Sequence, residues 1–166
     1  MGDPEIVGPV RRYTERPLPA YCHVPGRTPH PIRDPEGHSH GQPEPDLPDL
    51  NTTDWRECEN YLYGIDLFNV GYWWECHEVL EGLWHASGIG SEAGHVLQAV
   101  IQCAAAHLKT KMDIPRGAMR LHGHSVKHAM WSGHFTLGVD HEKLLIDTRT
   151  FMTVEDAPAA RIELNF

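Results

Sequence analysis

Apolar residues recur at helical spacing in five separate stretches of this chain. Trp55, Cys58, Tyr61, Leu62, Ile65 and Phe68 fall about one turn apart, which predicts a first helix. Thr53 or Asp54 can cap it, and Gly71 is its expected stop. A second helix is predicted from about Tyr72 to Ala86, ending before Gly88 and Gly90. Ser91 can cap a third, which carries Val96, Val100, Cys103 and His107 on one stripe and reaches about Met112. Pro115 suits the first turn of a fourth, expected to end near Trp131 and Gly133. Asp140 opens a fifth, with Leu144, Leu145, Thr148, Phe151 and Met152. No alternating pattern is strong enough to propose a sheet. Residues Arg161 to Phe166 read as an extended segment lying across the helices. The expected fold class is all-α, a bundle of about five helices.

The first 52 residues follow another rule. Eleven of the 13 prolines precede residue 51, and proline fixes φ and removes a backbone donor, which disfavours helices and central strands. The expected organisation is a Pro/His-rich extended arm over residues 1–52 and a helical domain over 53–166. The arm is not low-complexity. Tyr13, Leu18, Tyr21, Val24 and Ile32 can pack on a surface, so the arm is expected to dock on the domain.

Bulk composition narrows the function classes. A length of 166 residues with 40% hydrophobic content suits one domain plus an extension. No apolar run reaches the roughly 18 residues of a membrane helix, and the start of the chain has no signal-peptide core; the expected location is cytoplasmic. A formal charge of −9 opposes general nucleic-acid binding. Lys109, Lys111, Arg116, Arg120 and Lys127 can still form one local positive face. The four cysteines, Cys22, Cys58, Cys76 and Cys103, make no CxxC pair, which argues against a zinc ribbon or a redox motif.

The second helix carries the chemistry. At roughly 100° per residue, Trp73, Cys76, Val79, Leu80, Leu83 and Trp84 form an apolar arc that should face the core. His77, Glu78, Glu81 and His85 share another arc with Trp74, and Glu75 sits just outside it. Carboxylates beside an imidazole can hold a metal or move a proton. The segment His77-Glu-Val-Leu-Glu81 is not the HExxH of metalloproteases, because the second ligand position is Glu. A solvated, salt-bridged face is the simplest account of such a strip.

The stretch from Phe68 to Trp84 resembles the signature of the bacterial and archaeal family known as domain of unknown function 309, DUF309. Asn69, Gly71, Trp74, Glu75, His77, Glu78, Glu81 and Trp84 occupy the matching positions. Leu97 to His107 is similar to the family's second block, and Arg116 to Leu121 to its third. The resemblance covers roughly residues 54 to 152. It implies an all-helical fold and no particular activity.

Other side chains are candidates of lower specificity. His107 lies on the core stripe of the third helix, where a hydrogen-bonded core role competes with pairing to Glu78 or Glu81. Gln102 shares a face with His95 and Gln98. Arg116 and Arg120 form a one-turn pair that can neutralise the acidic strip. His124 and His128 have chelating spacing, and His30, His38 and His40 can close the site if the arm folds over it.

Two function classes follow. In the first, the protein is a ligand- or partner-binding module, with self-association among the options, and Trp74, Glu75, Gln102, His107 and Arg116 line a pocket or contact a partner. In the alternative, it is a metal-dependent enzyme, with hydrolysis among its options. His77, Glu78 and Glu81 would then be catalytic, and a divalent metal would sit on His77, Glu81 and His107.

Overall fold

The computed structural model describes residues 9–166. The first eight residues of the expected arm lie outside the described residues. Five α-helices are present: α1 (Glu59–Asn69), α2 (Trp73–Ser87), α3 (Glu92–Lys111), α4 (Pro115–Ala129) and α5 (His141–Thr153). Single 3₁₀ turns occupy Trp55–Glu57 and Thr136–Gly138. The described residues contain no strand, and none of their helices is long and apolar enough to cross a membrane. The all-α expectation holds.

Local sequence explains most of the boundaries. Ser91 Oγ accepts from Gly94 N–H to cap α3, Asp140 accepts from Lys143 N–H to cap α5, and Pro115 opens α4. The first helix begins later than predicted. Asp54 caps the 3₁₀ turn instead, the chain becomes extended at Cys58, and α1 starts at Glu59. Gly71 follows α1 with φ of 82°, a left-handed conformation that suits glycine. The fourth helix ends at Ala129, short of the expected Trp131.

Helix α3 is central and packs against α2, α4 and α5, while α1 packs on α2. Its buried residues surround the helix: Val96, Leu97, Val100, Ile101, Cys103, Ala104, Ala106 and Leu108 among them. A helix apolar on most sides belongs in the interior. Polar bridges set its neighbours. Ser125 Oγ on α4 donates to Ala99 O at 2.8 Å and meets Cys103 Sγ at 3.0 Å. His122 Nε2 on α4 lies 3.0 Å from Leu145 O on α5. Gly64 lets α1 and α2 approach closely, since a Cβ there would sit 2.5 Å from Leu80 Cδ2.

Two extended segments wrap the helices. Ala160, Ile162 and Leu164 are buried and alternate with more exposed neighbours, the period of an extended chain. Asn69 on α1 holds this segment by both edges: its Nδ2 donates to Ile162 O at 2.8 Å and its Oδ1 accepts from Ile162 N–H at 2.7 Å. On the other side, residues 9–52 run along α1 and α2. Asp66 accepts from Tyr13 N–H at 2.7 Å, Thr14 N–H at 3.0 Å and Thr14 Oγ at 2.7 Å, and Arg12 Nε lies 3.0 Å away. Farther along, Tyr63 donates to Pro17 O, Cys22 to Gly71 O, and Leu50 N–H to Ser87 Oγ. Val24 and Leu50 of this segment are buried with the core. These contacts place one face of α2 beneath the chain that precedes α1.

Candidate functional site

Helix α2 sends its side chains into three environments. Trp73, Cys76, Leu80 and Leu83 enter the core, as the wheel predicted. His77, Glu78 and Glu81 lie half-exposed on the outer side. Glu75, which the wheel placed just outside the polar strip, is instead buried under the arm at 4% exposure.

The carboxyl of Glu75 is the joint between arm and helix. Its Oε1 accepts from His23 N–H at 2.7 Å and lies 3.1 Å from His38 Nε2. Burial raises the Glu75 pKa, while the bonds from His38 and His23 N–H pull it down without cancelling the rise. The other oxygen, Oε2, is shielded from solvent and has no hydrogen-bond partner among the described residues. Trp74, beside it, packs roughly perpendicular to the rings of His23 and His30, with ring centroids 4.9 and 5.2 Å away. Burial lowers the pKa of His23, and the nearby His30 lowers it further.

A recess of about 240 Å³ opens here. Helix α2 contributes Trp74, Glu75, Glu78 and Val79, and α1 contributes Tyr63 and Leu67. The arm supplies residues 16–19 together with Ile32, His38, Ser39 and Gln42. Arg16 is already engaged at the rim: it donates to Asn60 Oδ1 at 3.0 Å and stacks its guanidinium 4.2 Å from the Tyr63 ring centre.

The outer cluster is separate but shares one residue with the recess. His77 Nδ1 lies 3.4 Å from Glu78 Oε1, and His77 Nε2 lies 3.5 Å from Glu81 Oε2. One ligand atom from each of His77, Glu78 and Glu81 falls within 4.8 Å of the others. The bond from Glu78 raises the His77 pKa against the opposing effect of partial burial. His77 and Glu81 do not line the recess; Glu78 does.

Three expected site residues lie elsewhere. His107 is wholly buried, with Nδ1 2.8 Å from Cys103 O and Nε2 accepting from Ala160 N–H at 3.1 Å. Both ring nitrogens are thus used, and the ring stacks on Phe151 at 4.6 Å. It is a structural histidine held neutral, its pKa pushed down to about 4 by burial, and it does not complete a metal site with His77 and Glu81. Gln102 donates to Gln98 Oε1, and Arg116 is exposed at the start of α4; neither lines the recess. His128 Nδ1 meets His95 Nδ1 at 3.1 Å rather than acting with His124. Among the arm histidines, His38 reaches Glu75, His30 packs on Trp74, and His40 turns to Ile32 O.

Residues 61–121 match the family model described as Domain of unknown function (DUF309). Over this stretch the chain is similar to DUF309. The resemblance drawn from the three sequence blocks therefore stands, over a shorter stretch than expected. The matched segment runs from Tyr61 in α1 through α2 and α3 to Leu121 in α4, so it contains every α2 residue of both clusters. The arm, including His23 and His38, lies outside it. No curated protein matches the chain.

Sequence reasoning missed His23, Tyr63, Arg16 and Asp66. Asp66 had a signal: a carboxylate set between Ile65 and Leu67 in an apolar helix needs partners once buried. His23 had none, because its bond to Glu75 runs through its backbone N–H.

Proposed function

We propose that the protein is a binding module for a small polar ligand, held in the recess between the arm and α2. The observation that carries this reading is the unpartnered, buried Glu75 Oε2 on a residue lining the recess. A buried polar atom without a partner costs about 1–3 kcal/mol. A ligand that supplies a donor offsets that cost, and the ligand-free protein carries it. Glu75 is a lining residue of the recess, so a donor held there lies against this carboxyl. Trp74 and Tyr63 add aromatic surface, and Glu78 adds a second polar group. The volume of about 240 Å³ suits a ligand smaller than drug-sized molecules. The arm forms one wall of the site, so the arm and the helical domain act as one binding unit.

The test is a titration of small polar molecules into isotope-labelled protein, followed by amide and indole shifts. Perturbations should centre on Trp74, Glu75 and His38. Gln42 is exposed on the rim, where its Nε2 donates to His38 O at 3.2 Å, so Gln42→Trp should obstruct entry at the loss of one exposed hydrogen bond, with the fold retained. Perturbations that persist in that variant, or no binding by any molecule tried, overturn the reading.

A second reading rests on the outer cluster, where His77, Glu78 and Glu81 offer three ligand atoms within 4.8 Å. A divalent cation held there would stand beside the recess through Glu78, an arrangement suited to metal-assisted hydrolysis. Calorimetric titration with Zn(II) and Mn(II) decides it: binding of one equivalent, lost in His77→Ala, supports a metal site, and no saturable binding removes it.

A further inference from the structure

We propose that the ligand of this recess is a small organic cation, a primary amine whose ammonium group donates to Glu75 Oε2. The proposal rests on the recess being a binding site and adds the charge of what it binds. Glu75 Oε2 is an acceptor without a donor, and Oε1 of the same carboxyl already takes His23 N–H and His38. The second carboxylate in the recess, Glu78, has its contact with His77 through Oε1 only. Two carboxylates thus line a small volume, and each retains acceptor capacity.

The cations nearby do not meet this demand. Arg16 is directed to Asn60 and to the face of Tyr63. His38 has its second ring nitrogen on Ser39 Oγ at 2.8 Å. Arg12 lies against Asp66. An ammonium suits such acceptors, because it carries several N–H groups on one compact charged centre. Aromatic surface from Trp74 favours a cation over a neutral or anionic group of equal size, since the ring face is electron-rich. Arg16 on Tyr63 shows the same preference operating at the rim. A carboxylate ligand would meet Glu75 and Glu78 as like charges in a partly desolvated space.

The experiment compares three probes of similar size on the full chain: n-butylamine, 1-butanol and butyrate. Binding is read by calorimetry and by the Trp74 and His38 resonances at about neutral pH. The expected result is saturable binding of n-butylamine, with both other probes at least about tenfold weaker. Glu75→Gln keeps an oxygen for His23 N–H, and it should weaken the amine about tenfold or more. Should Glu75→Gln fail to fold, Glu78→Gln, which changes a half-exposed side chain, should weaken the amine several-fold. Equal binding of 1-butanol, preferential binding of butyrate, or an amine affinity untouched by these variants overturns the cation assignment and leaves the recess as a ligand site. Perturbation by none of these probes nor by the wider set of polar molecules removes both.

Discussion

His38 Nε2 and Glu75 Oε1 meet at 3.1 Å across the seam between the arm and α2. The same oxygen accepts from His23 N–H, so two points of the arm, 15 residues apart in sequence, converge on one helix carboxyl. Asp66, nine residues earlier, does the same for Arg12, Tyr13 and Thr14. The N–H groups of Tyr13, Thr14, His23 and Leu50 go to side chains of the domain, and these bonds help hold an extended segment as one wall of a recess.

The first prediction concerns Asp66. Its side chain is fully buried and accepts three hydrogen bonds from the arm beside the Arg12 contact. Asp66→Ala leaves Arg12 without its carboxylate and strands the N–H groups of Tyr13 and Thr14. The loss should be about 3 kcal/mol or more, the scale for breaking a buried charge network from one side. Urea unfolding measures it, and limited proteolysis should cut the arm before the helices. Unchanged stability would mean that the arm does not depend on this carboxylate.

Glu75 gives a prediction whose sign depends on pH. Burial raises its pKa above the ordinary value of 4.5 despite the bonds from His38 and His23. A carboxyl with a raised folded pKa contributes most below its unfolded value, and that contribution is lost as pH rises through the folded pKa. Glu75→Gln cannot ionise. The variant should therefore gain stability relative to the wild type as pH climbs from about 4.5. Urea midpoints across that range, taken as a difference between the two proteins, test this. A difference that is flat or of opposite slope contradicts it.

The five helices were legible because each is written in its own residues: Ser91 and Asp140 cap, Pro115 starts, and Gly71 and Gly88 stop. The apolar arc of α2 was legible for the same reason. The partner of Glu75 was not. A helical wheel ranks Glu75 by its angle to neighbours on α2, whereas its burial comes from His23 and His38, more than 35 residues away. Such contacts depend on the path of the arm, and proline-rich sequence carries no periodic signal of that path. For His107, the α3 stripe indicated burial and a hydrogen-bonded core role, but its partner Ala160 N–H belongs to an extended tail whose landing point no local pattern specifies.

His107 supplies a prediction for acid. It is fully buried, and its pKa is pushed from 6.5 down to about 4 by desolvation. A base with a lowered folded pKa contributes stability above its unfolded value, and that contribution is lost as pH falls toward the folded one. At about 1.4 kcal/mol per pH unit, the loss between about pH 6.5 and pH 4 is roughly 3 kcal/mol. His107→Gln can still bond to Cys103 O and Ala160 N–H but takes up no proton. It should be less stable than the wild type at neutral pH through poorer stacking on Phe151, and it should lose stability less steeply on acidification. Parallel urea titrations at about pH 7 and pH 5 measure both slopes. Equal slopes would show that His107 is not the titrating group.

His77 behaves in the opposite sense, and this bears on the metal reading. Its ring stands between Glu78 at 3.4 Å and Glu81 at 3.5 Å, and the Glu78 contact raises its pKa above 6.5. The stabilising contact is therefore fully present below the ordinary imidazole value and is lost as pH rises through the raised one. Glu78→Gln removes the first cause of the rise, so the imidazole should titrate at lower pH in that variant. Side-chain NMR titration of His77 reads the change directly. A metal needs the neutral ring, so the proton that Glu78 and Glu81 favour competes with any cation at this cluster. Zn(II) affinity, if the cluster takes the ion, should rise with pH through the His77 titration and release a proton on binding. Binding that is independent of pH across that range would place the ion on other ligands and leave His77 as the charged centre of a surface ion pair.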